Sequence, residues 1–111
     1  MMLKDTVKKM EEAIRKIDSV DSDNKAELLG LLNALKGELK ELSQTHGEQA
    51  QSIAALADMA AHEAVRREKS PGLMKHALDG LALSAEGFEA SHPRLVETID
   101  AISVMLARIG I

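Results

Sequence analysis

At 111 residues and a net charge of −4, the chain has the length of one domain able to bury a core, and it lacks the concentrated basic surface that nucleic acid requires. The absence of cysteine excludes a disulfide framework, thiol redox chemistry and a thiolate zinc site. With 15 Leu, 16 Ala and one aromatic residue, Phe88, the composition favours helix over strand, so an all-α fold in a single domain, 1–111, is expected.

The first segment, MMLKDTVKK, is charged too early for a signal peptide. No stretch approaches the ~18 consecutive apolar residues of a membrane span. A soluble, cytoplasmic protein with no membrane partner is expected. Leu3, Val7, Met10, Ile14 and Ile17 are spaced 4-3-4-3 and lay one apolar seam on a helix over 2–18. DSVDSDN (18–24) breaks that rhythm and offers Asp21, Ser22 and Asp23 as N-caps.

A second helix is predicted over 23–45, with its seam at Leu28, Leu32, Leu35, Leu39 and Leu42. Leu29 and Leu31 lie beside that seam, and Ala26, Gly30, Ala34 and Gly37 form a small-residue row on the far face. THG (45–47) is a soft break, since one glycine costs about 1 kcal/mol in a helix; helices 2 and 3 are therefore separate, or continuous if Gly47 is absorbed. The third helix, 48–69, carries seven alanines (50, 54, 55, 57, 60, 61 and 64) and a thin stripe of Ile53, Leu56, Ala57, Ala60 and Ala64. Small side chains let neighbouring helices approach closely.

KSPG (69–72) is a firm break, with Ser70 suited to an N-cap and Pro71 to the first helical position. The fourth helix, 71–90, is expected to bury Met74, Leu78, Leu81, Ala85 and Phe88. Pro93 starts a fifth helix, 93–109, with a seam at Leu95, Ile99, Ile102, Leu106 and Ile109. Seams of about two heptads are too short for a free coiled coil and indicate an antiparallel bundle of about five helices.

Four helical glycines, Gly30, Gly37, Gly80 and Gly87, would together cost on the order of 3–4 kcal/mol in propensity if they served no packing purpose. With Leu29, Leu31 and Leu83 they form a candidate interface, and a homo-oligomer is expected, with a two-fold dimer favoured. Another protein is an alternative partner. The short basic runs KK (8–9) and RREK (66–69) read as solvated helix faces.

Chemistry-bearing residues are sparse. HEAVR (62–66) has Arg66 where a zinc protease needs its second histidine, so that motif fails. Asp58 and His62, four apart, and His76 and Asp79, three apart, each share a helix face; a hairpin turning at 70–72 would bring them level as a candidate metal set. Glu89-x-x-His92 straddles the break at Pro93, which drives His92 out of helical conformation. Glu89, Ser91 and His92 therefore read as a helix joint with no catalytic role.

GFEASHPRL followed by ARIGI resembles a family of small bacterial helical proteins, domain of unknown function 4404. Its positions here are Phe88, Glu89, Ser91, His92, Pro93, Leu95, Gly110 and Ile111. The resemblance is clearest over 71–111 and weaker over 1–44, and 47–69 looks like an insertion relative to shorter members. It implies a bacterial helical protein and brings no catalytic residue, cofactor or partner with it. The expected function is non-enzymatic: a helical bundle acting by self-association or protein docking, without a cofactor. The alternative is a small metal- or cofactor-binding bundle using Asp58, His62, His76 and Asp79.

Overall fold

The apolar seams become five helices: α1 (Leu3–Arg15), α2 (Ser22–Leu42), α3 (Gly47–Ala64), α4 (Pro71–Ala85) and α5 (Pro93–Gly110). They are seen in a computed structural model that describes residues 3–15, 22–64 and 70–110. No strand occurs among these residues, and the protein is all-α. The ends predicted for helices 1 and 3, the cap at Asp21 and the basic run 66–69 lie outside the described residues. So do the side chains of Leu3, Val7, Ile14 and Ile109.

Local chemistry sets the helix limits. The Ser70 hydroxyl accepts the Leu73 N–H at 3.5 Å, and Pro71 opens α4, where a missing N–H costs nothing. Helices 2 and 3 are separate. At the end of α2 the His46 N–H reaches the Leu42 carbonyl at 2.8 Å, and the His46 carbonyl then accepts the Ala50 N–H at 3.0 Å. His46 thus closes one helix and opens the next, and Gly47 begins α3 instead of being absorbed.

The fourth helix stops at Ala85, five residues before the predicted end at 90. Glu86 turns to extended backbone, and Gly87 takes a φ of +99°. That conformation is disfavoured for any residue with a side chain. The apolar rhythm that runs on to Phe88 conceals a helix terminus.

The seams of α2 and α5 are buried where their spacing indicates, while Leu56 of α3 and Leu78 of α4 are only partly covered. Leu28, Leu32, Leu35, Leu39 and Leu42 of α2 are fully enclosed, as are Leu95, Ile99, Ile102 and Leu106 of α5. Met10 supplies the described core contact of α1. These side chains join those of α3 and α4 in one continuous core. Glu11, largely covered, lies 3.8 Å from Lys36 and links α1 to α2.

The topology places α3 in the middle. It packs against all four other helices, whereas α1 touches only α2 and α3, and α4 touches only α3 and α5. α1 and α5 do not meet; each lies against both α2 and α3. Ala50, Ala54, Ala57, Ala60, Ala61 and Ala64 are buried together with Ile53. Six methyl groups in place of long side chains give the central helix a narrow profile, so neighbours can approach from several directions. No helix among the described residues is long and apolar enough to cross a membrane.

Candidate interaction surface

At one end of the bundle the α2–α3 turn meets the α4–α5 turn. The Phe88 ring stands edge-on between two imidazoles, with its centroid 5.4 Å from His46 and 5.9 Å from His92. Both pairs have the T-shaped geometry that aromatic quadrupoles favour. The Gly87 N–H donates to Glu89 Oε2 at 2.8 Å. The His92 N–H donates to the Phe88 carbonyl at 2.7 Å, and the His92 carbonyl accepts the Val96 N–H at 3.3 Å. Glu89, Phe88 and His92 are therefore engaged in building the turn, and Ser91 is exposed. Phe88 is half-buried at the rim of the core rather than inside it.

The four candidate metal ligands do not converge. His62 Nδ1 lies 2.8 Å from the Asp58 carbonyl oxygen and 3.2 Å from its carboxylate. On α4, Asp79 is held by Lys75 at 3.0 Å, and His76 is exposed. No three His, Asp or Glu side chains among the described residues are placed to hold one metal ion. Each of the two carboxylates has instead a basic neighbour one turn away on its own helix, His62 for Asp58 and Lys75 for Asp79.

The seven candidate interface residues separate into distinct roles. Leu29 and Leu31 are partly buried and lean on the core. Gly30 and Gly37 are exposed on α2, with open space where a Cβ would stand. Gly80 faces into the protein: a Cβ there would lie 3.2 Å from Leu56 Cδ2, so this glycine serves α3–α4 packing. Gly87 serves the turn. Leu83 alone of the seven is a large apolar side chain left in solvent, 69% exposed.

Three further residues join it that the sequence reading passed over. Met59, Leu73 and Val104 are each at least half exposed. Their signal was present, since all three lie off the buried seams of their helices. With Leu83 they place every large exposed apolar side chain among the described residues on α3, α4 and α5.

Leu83 and Val96 stand in an open groove of about 540 Å³ between α4 and α5, with the carboxylates of Asp79, Glu86, Glu89 and Asp100 around them. A smaller hollow of about 310 Å³ beside His92 has mixed charge, from Glu38, Glu41 and Arg94.

The family model described as "Domain of unknown function (DUF4404)" matches residues 28–111. The match takes in most of α2 and all of α3, α4 and α5, and leaves α1 outside. No curated protein and no solved structure gives a significant match.

Proposed function

From the premise that the chain belongs to the DUF4404 family, we propose that it is a non-enzymatic helical bundle whose work is protein association, with a second copy of itself or with another protein. The observation that carries this reading is the distribution of its exposed apolar residues over the helices. Met59, Leu73, Leu83 and Val104 occupy the three helices α3, α4 and α5, while the exposed positions described on α1 and α2 are polar, charged or small. Single exposed leucines are ordinary, but among the described residues the large exposed apolar side chains concentrate on three mutually packed helices, which supports an association surface there.

The turn that carries the family resemblance supports the non-enzymatic reading, because the side chains of Glu89 and His92 are engaged in local structure. The proposed setting is the bacterial cytoplasm, on the strength of the resemblance.

Light scattering over a range of concentrations tests the self-association arm. A mass rising from 12.0 kDa toward a dimer, and returning to monomer in Leu73→Asp or Met59→Asp, is expected. A monomer at every concentration that also binds no protein partner would overturn the reading.

A further inference from the structure

The α4–α5 groove has an apolar floor and an acidic rim, and together these specify its occupant. Leu83 and the half-buried Val96 form the floor. On α5, Val96, Asp100 and Val104 follow one another at i, i+4 and i+8, so one face of that helix alternates valine, carboxylate, valine. The rim holds four carboxylates, and no Lys or Arg stands among the lining residues. Lys75 reaches Asp79 from one turn away and offsets one of the four. A second copy laid in the groove by two-fold symmetry would oppose carboxylate to carboxylate, which is repulsive. A cationic occupant would find the opposite sign along the rim and an apolar strip beneath.

We propose that the α4–α5 groove docks an amphipathic helix from a basic partner protein. Its apolar side chains seat on Leu83 and Val96, and its Lys or Arg side chains flank them over Glu86, Glu89 and Asp100. This is the helix-in-groove mode of recognition, with charge fixing partner choice and register. The proposal rests on the association reading above and narrows it. The groove takes a partner other than this chain.

The test uses the full chain and two fluorescent synthetic helices that share a leucine stripe, one flanked by lysines and the other by glutamates. Anisotropy should show binding of the lysine helix alone, weakening steeply as salt screens the rim. Leu83→Ala should weaken it about tenfold. Asp100→Asn combined with Glu86→Gln should weaken it to a similar degree and flatten the salt dependence. Glu12→Gln with Glu27→Gln, which removes two exposed carboxylates of α1 and the first turns of α2, should leave binding almost unchanged.

Equal loss in that distal pair, indifference to Leu83→Ala, or equal binding of both helices would overturn the proposal, since each indicates non-specific attraction. No binding of the lysine helix by a chain that nonetheless dimerises would remove the groove and leave the association reading standing. No binding of the lysine helix or of any protein partner by a chain that stays monomeric would remove both.

Discussion

Gly80 of α4 and Leu56 of α3 form a contact that depends on a missing side chain. A Cβ at position 80 would stand 3.2 Å from Leu56 Cδ2, closer than relaxed carbon–carbon packing allows. Gly30 and Gly37 of α2 have nothing within 4 Å of the same built atom. Replacing a solvent-facing helical glycine with alanine stabilises by about 0.4–1 kcal/mol, chiefly by restricting the unfolded chain. Gly30→Ala and Gly37→Ala should each show that gain in urea unfolding. Gly80→Ala should show less, because Leu56 must shift to accept the methyl. An equal gain at all three positions would mean that the α3–α4 contact yields freely.

Gly87 is a different case, since its constraint lies in the backbone. With φ at +99°, an alanine there would be strained whatever the space around it. Gly87→Ala should lower stability by about 1–2 kcal/mol, opposite in sign to the α2 glycines. A stabilised variant would show that the α4 terminus readily adopts another turn.

The buried alanines of α3 should tolerate nothing larger. Ala57 and Ala60 are buried against neighbouring helices, whereas Ala55 is exposed. Ala57→Leu and Ala60→Leu should each cost about 1–3 kcal/mol or more through overpacking. Ala55→Leu should change stability by less than about 0.5 kcal/mol. Thermal unfolding of the three variants side by side decides the matter. A neutral Ala57→Leu would argue against a tightly closed centre.

Phe88 is held at the rim by two imidazoles, and that limits what its removal can cost. Phe88→Ala should lose about 1.5–3 kcal/mol, below the range for a fully buried phenylalanine. Ile99→Ala, at a site with no exposure, should lose about 2–5 kcal/mol. If Phe88→Ala were the more damaging of the two, the ring would be acting as a core anchor after all.

Much of the fold was legible because the buried seams are strictly periodic. Leu28 through Leu42 and Leu95 through Leu106 are enclosed at the positions their spacing indicates, since an apolar stripe has no other stable place in water. The end of α4 was hidden by the same logic. Phe88 continues the rhythm, so Gly87 read as part of a small-residue face when it is the residue that ends the helix. Spacing cannot distinguish Gly80, which faces a neighbouring helix, from Gly30, which faces solvent, so the small-residue row did not reveal which glycine packs inside the fold. The exposure of Met59 and Val104 was missed because off-seam residues drew notice only on helices 2 and 4, and that of Leu73 because it stands beside the buried Met74 in the first turn of helix 4.

The central position of α3 has a consequence for cooperativity. Among the described residues α1 and α4 have no contact with each other, nor do α1 and α5 or α2 and α4. Apart from the longer route over α2 and α5 in turn, disturbance of the first helix therefore reaches the fourth only through a cylinder lined with methyl groups. Such a helix has little intrinsic bulk with which to hold a partly opened bundle together. Loss of its neighbours on one side would leave it poorly buried on the other, so intermediates that keep half of the bundle intact gain little. The helix with the smallest side chains thus ties the fate of the separate halves together and favours opening as one unit over opening piece by piece.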